Sequence, residues 1–393
     1  MLNPEILVMK KLLEHFDSVP FKVTTSGGDA FMIGQGEPRF QVDILKPLSK
    51  KELATSTSLA LGEAYMRGDL QVKGDLLVCL DSIMKQLDNF VVDKNALKNL
   101  LFTSLKKSNQ KKEVSSHYDI GNDFYKLWLD ETMSYSCAYF EKPDATLYQA
   151  QLAKIDHSLR KLNLSEGMSL LDIGCGWGGL LIAAAKRYKV KGLGLTLSQE
   201  QCKEANARIQ AEGLSHMVEV KVMDYRDLEK SGLKFDRIVS IGMVEHVGRD
   251  NYPLYMHCAK AALNPGGVFL LHSITGRKEN PGDPWIKKYI FPGGVLPSLR
   301  ELIHQAYEEG FLVSDVESLR LHYYKTLLCW YHNFQEHRQE VLSMMGEEFT
   351  RMWELYLGSC AASFHWANID IHQILMTAGC NNDLPMTRDY LYR

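Results

Sequence analysis

Residues 170–179 read LLDIGCGWGG, and this stretch decides the fold. Its apolar residues predict a buried strand over residues 169–173, and the glycines lead into a predicted helix over residues 180–188. Glycines at such a junction let the backbone turn tightly and approach a ligand closely, while the first amide groups of the helix face that ligand. The stretch therefore predicts a ligand site at the carboxyl end of a strand.

Two classes of ligand fit this loop. Gly174, Gly176 and Gly179 satisfy G-x-G-x-x-G, which by itself suggests a dinucleotide. Asp172 extends the pattern to D-x-G-x-G-x-G, which is typical of methyltransferases that use S-adenosylmethionine. The acidic residue that a dinucleotide site needs after the second strand is absent, because Thr196-Leu197-Ser198 stands there. We therefore expect S-adenosylmethionine; a dinucleotide site and a purely structural loop are the alternatives.

The chain after about residue 110 alternates strands and helices, which predicts a doubly wound α/β sheet of the Rossmann-like methyltransferase type with parallel strands. Further strands are predicted over 190–197, 218–222, 236–241 and 268–272, with 369–376 as a last strand closing the sheet; helices are predicted after Ser198, over 252–263, and from about 298, 326 and 346. Ser198 and Gln201 form an S-x-x-Q capping box. Residues 276–297, rich in glycine, proline and aromatic residues, are expected to form a lid or substrate insertion with helices.

The first part of the chain predicts a smaller α+β domain over residues 1–110, with a catalytic domain over 111–393. Strands are expected within 21–43 and helices over 1–16, 57–66 and 76–87. Between Lys94 and Lys112 there are six lysines and no acidic residue, with leucines at helical spacing. This pattern indicates a basic amphipathic helix, either a solvated helix at the domain junction or a surface for anionic lipid headgroups.

The composition is that of an ordinary globular protein: 393 residues, 45% hydrophobic and 24% charged. A net charge of -3 argues against a nucleic acid partner. The eight cysteines include no C-x-x-C pair, so neither a zinc site nor a disulfide framework is indicated, and a reducing cytoplasm is expected. The first residues lack the pattern of a signal peptide, and no window reaches the roughly 20 apolar residues of a membrane span.

Polar residues follow several of the predicted strands. Glu245 and His246 come after the fourth strand and His272 ends the fifth, while residues 135–137 precede the first. The carboxyl ends of parallel strands are where α/β sheets bind ligands. Each residue also has a plainer interpretation, since histidines are often structural and Cys137 is a small hydrophobic residue.

Eight motifs in a fixed order resemble the cyclopropane-fatty-acyl-phospholipid synthases. They are HYDIGNDFYKLWLDETMSYSCAYF (117–140), LLDIGCGWGG (170–179), GLTLSQEQ (194–201), DYRDL (224–228), FDRIVSIGMVEHVG (235–248), FLLHSI (269–274), DPWIKKYIFPGG (283–294) and YYKTLLCWY (323–331). LGEAYMRGDLQVKGDL (61–76) is similar to the bacterial members, so the resemblance covers most of the chain. The mycolic acid cyclopropane synthases share the catalytic motifs but generally lack a comparable N-terminal domain, and certain plant N-methyltransferases are more distant.

The resemblance implies that the methyl group of S-adenosylmethionine is transferred as a methylene bridge to the cis double bond of an unsaturated phospholipid acyl chain. It implies a carbocation that a bound bicarbonate deprotonates, a dry aromatic pocket for which Trp285, Tyr289 and Phe291 are candidates, peripheral contact with the inner face of the membrane, and a homodimer. A methyl-branched lipid or an N-methylated product is the alternative outcome.

The resemblance also implies the site residues. Bicarbonate would be held by Cys137, Glu245, His272, Ile274 through its backbone, and Tyr323 in preference to Tyr324. S-Adenosylmethionine would be bound by Tyr135, Ser136, Asp172, Gly174, Gly176, Thr196, Gln201 and Asp224. Because a carboxylate beside an anion is unfavourable, we expect Glu245 to share a proton with bicarbonate or with His272.

Two other functions use the same residues. Cys137, His272 and Glu245 are also the residue types of a thiol acyl-transfer triad. A lipid or cofactor sensor with a degenerate site is the non-enzymatic alternative.

Overall fold

The structure is a computed structural model and describes residues 10, 13–16, 18–87 and 121–392. The basic segment Lys94–Lys112, the first residues of the motif at 117–140 and most of the predicted N-terminal helix lie outside this range. Within the range, residues Glu14–Phe16 form one 3-10 turn.

The strands and helices of the described residues are as follows. The strands are β1 Phe21–Thr24, β2 Ala30–Ile33, β3 Phe40–Ile44, β4 Leu70–Gly74, β5 Ser169–Ile173, β6 Lys191–Thr196, β7 Val218–Val222, β8 Phe235–Ile241, β9 Leu263–Gly276, β10 Phe311–Ser318 and β11 Ile369–Ala378. The helices are α1 Lys50–Thr55, α2 Thr57–Met66, α3 Leu76–Lys85, α4 Asn122–Lys126, α5 Leu147–Lys161, α6 Gly179–Tyr188, α7 Gln199–Ala211, α8 Leu228–Ser231, α9 Tyr252–Ala262, α10 Pro284–Tyr289, α11 Leu299–Glu308, α12 Arg320–Glu336, α13 Arg338–Met345 and α14 Glu347–His365.

The chain divides into two compact units. The first comprises residues 1–98, 283–290 and 327–368, and the second comprises 99–282, 291–326 and 369–393. Each unit is therefore assembled from separate stretches of sequence. The predicted boundary near residue 110 falls outside the described residues and stays a prediction.

The second unit is built on one sheet of order β10-β11-β9-β8-β5-β6-β7. Strands β5 to β9 pair in parallel, as the alternation of strands and helices predicted. Strand β11 is antiparallel to both of its neighbours, and it lies inside the sheet rather than closing it. The predicted parallel pairing is therefore confirmed for β5 to β9 and was wrong at β11, because hydrophobic periodicity carries no information on strand direction.

Several local predictions are confirmed and others are corrected. Strands β5 and β7 and helix α2 have the predicted bounds. Strand β9 begins at Leu263 rather than at residue 268 as predicted, and its register with β8 shifts between Phe235 and Arg237. Strand β10 was missed because half of its residues are polar, and α12 begins at Arg320 rather than near residue 326.

The first unit contains a small sheet of order β2-β1-β3-β4 and the helices that pack with it. Helix α10 belongs to this unit and packs on α2, where the Trp285 indole donates to Met66 Sδ at 3.3 Å and the Tyr289 hydroxyl donates to Glu63 at 2.9 Å. These contacts account for two of the three aromatic residues considered as pocket lining.

No helix within the described residues is long and apolar enough to cross a membrane.

Gly194 of β6 packs closely against Cys175 of the glycine loop, and this packing predicts how a larger residue would change the stability of the protein. A Cβ atom at Gly194 would lie 2.7 Å from Cys175 Sγ and 2.8 Å from Leu181 Cδ1. We expect Gly194→Ala to lower the free energy of unfolding by about 1–3 kcal/mol through overpacking, as measured by urea denaturation. Gly27→Ala is the control, because its nearest neighbour would be 3.8 Å away. Equal effects of the two substitutions would contradict this account of the packing.

Candidate active site

The glycine loop after β5 is held open for a ligand. The N–H groups of Gly174 and Cys175 donate to the Leu195 carbonyl at 2.9 and 3.0 Å, so the loop is tied to the end of β6. Gly176 has φ +54°, and a Cβ atom there would meet no atom within 4 Å. A side chain at this position would therefore project into the open space beside the loop.

The residues predicted to bind S-adenosylmethionine line a single cavity around this loop. All eight are present in the lining: Tyr135, Ser136, Asp172, Gly174, Gly176, Thr196, Gln201 and Asp224. They come from the segment before α5, the ends of β5 to β7, and the start of α7. The fold therefore brings together residues that are up to 89 positions apart in the sequence.

Thr196 and Gln201 interact at the end of β6. The Thr196 hydroxyl donates to Gln201 Oε1 at 2.8 Å, and Ser198 Oγ accepts the Gln201 N–H at 3.3 Å. The predicted capping box is therefore only half formed, because the Gln201 side chain contacts Thr196 instead of the Ser198 N–H. With its oxygen engaged, Gln201 presents its NH₂ group to the cavity as a donor.

Asp224 lines the cavity, but its carboxylate is committed to a neighbour. Both of its oxygens accept from the Arg226 guanidinium, at 2.8 and 2.6 Å, and Oδ1 also accepts the Arg226 N–H at 3.0 Å. The Arg226 side chain is only 8% exposed, so this ion pair is well shielded. Asp224 therefore lines the cavity as one half of an ion pair whose charges cancel, with Arg226 as the other half.

Lys154 is a cavity residue that the sequence analysis missed. It is 4% exposed, lines the cavity, and donates from Nζ to Ser136 Oγ at 3.0 Å. Burial lowers the pKa of Lys154 to about 8 and raises the pKa of Asp172 to about 7, and the Lys154 charge opposes the rise at Asp172. The available signal was a lysine on the buried face of α5, where a charged residue is unusual.

These residues fit S-adenosylmethionine. Asp172 offers a carboxylate and Lys154 an ammonium group within one cavity, which suits the zwitterionic amino acid group of that donor. Two polar atoms of cavity residues, Trp177 Nε1 and Tyr225 Oη, are buried with no hydrogen-bond partner among the described residues. Gln201 supplies a donor for a sugar hydroxyl, and the glycine loop lets the backbone approach.

Glu245, in the turn after β8, and His272, which pairs with the last residue of β8, define a second polar site. We call it the anion niche after the bicarbonate that was predicted to bind there. Glu245 Oε1 accepts the Ile274 N–H at 2.7 Å, whereas Oε2 is buried with no hydrogen-bond partner in the described residues. Burial raises the pKa of Glu245 to about 7, and the Ile274 N–H opposes this rise. The backbone N–H of Ile274, a residue predicted to hold the anion through its backbone, thus donates to Glu245.

His272 lies two residues before Ile274 on β9 and is fully buried. Its Nδ1 is 3.3 Å from Gln373 Nε2, while its Nε2 has no partner among the described residues. Burial lowers the pKa of His272 well below its ordinary range, and the charges of Lys154 and Lys161 lower it further. The imidazole is therefore neutral.

Cys137 and Tyr323 share a hydrogen-bond partner, the carbonyl of Leu319, which immediately precedes α12. The Cys137 thiol is fully buried and directs its hydrogen to carbonyl oxygens, of Ala138 at 3.2 Å and of Leu319 at 3.9 Å. Leu319 also accepts the Tyr323 N–H at 3.0 Å. Burial raises the pKa of the Cys137 thiol strongly, which is unfavourable for an attacking thiolate.

His246 and Phe291 provide an apolar wall beside the cavity. The two rings pack edge to face with centroids 5.8 Å apart, and His246 lines the cavity. Burial lowers the pKa of His246 to about 4, so its ring is neutral. Of the three aromatic candidates, Phe291 is the one that the second unit contains.

Comparison with known proteins gives the family. The model of mycolic acid cyclopropane synthetase matches residues 105–374, and a domain of unknown function matches residues 8–95. A probable fatty acid methyltransferase of Pseudomonas putida is 40% identical and covers 95% of this chain and 97% of its own. The cyclopropane-fatty-acyl-phospholipid synthase of Escherichia coli K12 is 38% identical over 90% of this chain and 92% of its own. The mycolic acid cyclopropane synthase CmaA1, solved with SAH and CTAB, has a TM-score of 0.63, 38% identity, and covers 68% of this chain and 98% of that one.

The sheet, the glycine loop and the charged cavity define an S-adenosylmethionine-dependent methyltransferase. Within that class, the chain belongs to the mycolic acid cyclopropane synthetase family.

The buried Asp172 carboxyl predicts a pH dependence of stability. With a pKa of about 7 in the folded chain and about 4 in the unfolded chain, Asp172 binds more protons when folded. Its contribution to the free energy of unfolding therefore falls as pH rises between those values, by about 1.4 kcal/mol per pH unit. The stability of the parent protein relative to Asp172→Asn should decline between about pH 5 and about pH 7 in urea denaturation. Asp123→Asn, at an 87% exposed side chain, is the control; a trend as steep there, or none at Asp172, would contradict the assignment.

Proposed function

We propose that the protein transfers a methylene group from S-adenosylmethionine to the cis double bond of unsaturated acyl chains in membrane phospholipids, giving cyclopropane fatty acids, with bound bicarbonate as the base. The observation that supports this proposal best is the pair of buried atoms, Glu245 Oε2 and His272 Nε2, that have no hydrogen-bond partner among the described residues. Glu245 follows β8, and His272 pairs with Ile241 at the end of β8. The family and the name of the Escherichia coli relative support the substrate class.

The donor, when bound, supplies an electrophilic methyl group on a positively charged sulfur. When the donor binds, Asp172, Lys154 and Ser136 would hold its charged amino acid group, and Gln201 would donate to a hydroxyl of its sugar. An alkene is a weak nucleophile, so fixed positions of the two reactants must supply much of the rate. The glycine loop and the surrounding strand ends are rigid elements suited to that task.

The anion niche has the properties needed to hold a small oxyanion base. Glu245 is buried with a pKa of about 7, so in its protonated form it can donate a hydrogen bond from Oε2. His272 is neutral, and its buried Nε2 has no hydrogen-bond partner among the described residues. When bound, bicarbonate accepts the proton that must leave for the ring to close.

Exclusion of water is a further requirement. A carbocation on the acyl chain reacts with water to give an alcohol, so the reacting region must be dry. Cys137 and His272 are fully buried, and Phe291 packs against His246 at the cavity wall. The Cys137 thiol is a poor nucleophile here, because burial raises its pKa.

A methyl-branched fatty acid is the second candidate product. The Pseudomonas putida relative, which covers 95% of this chain, is named a probable fatty acid methyltransferase. Methyl transfer to the same double bond without ring closure would give such a product from the same donor. Analysis of the product distinguishes the two.

Product analysis on phospholipid vesicles tests the proposed reaction. Vesicles of a monounsaturated phospholipid, incubated with the protein and S-adenosylmethionine, should gain the mass of one CH₂ group per modified chain and lose the olefinic proton signals. Mass spectrometry and proton NMR give both measurements. A gain of mass with a retained double bond would indicate the methyl-branched product, and donor binding without any turnover would favour the sensor.

Removal of bicarbonate tests the role of the anion niche. In buffer freed of carbon dioxide, the rate of cyclopropane formation should fall by about 100-fold or more, because the contribution of a general base is of that size, and added bicarbonate should restore it. An unchanged rate would contradict bicarbonate as the base.

The substitution Cys137→Ser tests the acyl-transfer alternative. The variant should retain appreciable activity with formation of S-adenosylhomocysteine, whereas it would be inactive if Cys137 were the nucleophile.

We also propose peripheral contact with the membrane, supported by the acid-free segment Lys94–Lys112 and by a substrate that resides in a bilayer. Charge reversal at Lys106, Lys107, Lys111 and Lys112 should weaken co-sedimentation with anionic vesicles, since each lysine near the surface contributes about 1 kcal/mol. Unchanged co-sedimentation would count against this surface. The homodimer stays a prediction.

A further inference from the structure

A row of polar side chains begins beside the Nδ1 atom of His272. Helix α5 contributes residues at every third or fourth position, and β9, β11 and β10 contribute residues that pair in register. The members are Lys154, His157, Ser158 and Lys161 of α5 with His272, Gln373 and Glu317 of the strands. All are buried except Glu317, which is partly exposed. Buried polar groups are unfavourable unless hydrogen bonds compensate them, so the directions of those bonds are informative.

Ser158 determines the orientation of the Gln373 amide. The Ser158 hydroxyl donates to the Lys154 carbonyl at 2.8 Å, so its single proton is already committed. Its oxygen can therefore only accept a hydrogen bond from Gln373, whose Nε2 lies 3.2 Å away. Rotation of the amide would place two acceptors against each other, so the NH₂ group of Gln373 is the one that faces Ser158.

The same NH₂ group determines the tautomer of His272. Gln373 Nε2 lies 3.3 Å from His272 Nδ1, and an amide NH₂ group can only donate. Nδ1 must therefore accept and carry no proton. Because the imidazole is neutral, its proton lies on Nε2, the atom that has no partner among the described residues.

Charged groups around the row favour the neutral ring. Lys154 and Lys161 disfavour an imidazolium at His272, and Glu317 opposes them. Glu317 accepts from Lys161 at 2.5 Å and from His157 at 2.7 Å, so its charge is largely engaged with those two groups. A neutral ring with one defined tautomer is what a donor to a small anion requires.

We infer that Gln373 is a positioning residue, whose amide, oriented by Ser158, holds His272 in the tautomer that directs an Nε2–H toward the anion niche. The tautomer follows from hydrogen bonds within the chain. Its use in holding bicarbonate rests on the proposed function.

The first test is spectroscopic and needs no substrate. In protein labelled with 15N-histidine, the His272 signals, assigned by their absence in His272→Gln, should show an unprotonated Nδ1 and a protonated Nε2. In Gln373→Glu, the carboxylate beside Lys154 and Lys161 accepts instead, so the proton should move to Nδ1. A protonated Nδ1 in the parent protein, or identical His272 signals in the variant, would overturn the inference.

The second test separates positioning from stability. Gln373→Glu and Gln373→Leu should lower kcat by about 10- to 100-fold with the KM for S-adenosylmethionine unchanged. Ser158→Ala should lower kcat less, because Gln373 is retained but no longer oriented. Thr377→Val is the control, since it removes another buried hydroxyl on β11 and should leave both kcat and the His272 signals unchanged.

The two tests distinguish failure of the inference from failure of the proposed function. If the rate does not depend on bicarbonate but the His272 signals change as expected, the positioning role stands and the identity of the anion is wrong. If the rate depends on bicarbonate but Gln373→Leu retains full kcat, the positioning role is wrong and the proposed function stands.

Discussion

The buried ammonium group of Lys154 is the charge that connects the two polar sites of the second unit. The cavity around the glycine loop, called the donor cavity from here on, contains Ser136, which accepts a hydrogen bond from Lys154. The charge of Lys154 also acts on Asp172 in that cavity and on Cys137 and His272 near the anion niche. A buried lysine is unfavourable by itself and is compensated here by Ser136 and by acidic groups. One cation therefore influences the ionisation of groups in both halves of the site.

Burial has opposite consequences in the donor cavity and in the anion niche. In the donor cavity, Asp172 and Lys154 give a polar environment for a ligand that carries charges of both signs. In the anion niche, burial makes His272 neutral and raises the pKa of Glu245 to about 7, so that a protonated Glu245 could donate to the proposed anion without leaving an uncompensated charge. The proposed carbocation chemistry also requires that water reaches these residues poorly.

The position of β11 connects the fold to the chemistry. Because β11 inserts between β9 and β10, Gln373 pairs with His272 on one side and with Glu317 on the other. Helix α5 then covers this row with Ser158 and Lys154. A strand that contributes no atom to the donor cavity lining therefore defines the hydrogen bonding of a residue in the anion niche.

Eight residues of the donor cavity were predicted because they stand in motifs that resemble a known family, and several of those motifs lie at strand ends, which meet at one edge of a parallel sheet. Lys154 and Gln373 carry no such motif. Their roles depend on which helix packs over which strands, and the long-range pairing that decides this leaves no periodicity in the sequence.

The class of the fold, the glycine loop, its ligand S-adenosylmethionine and eight of the residues around that ligand site could be predicted from the sequence, because they belong to short motifs whose local geometry is set by residue type. Only the tertiary structure decided the antiparallel insertion of β11, the membership of α10 in the first unit, the half-formed cap at Ser198 and the buried row behind His272. These features arise from packing between segments far apart in the chain, where the free energy of burial and hydrogen bonding, rather than local preference, selects the arrangement.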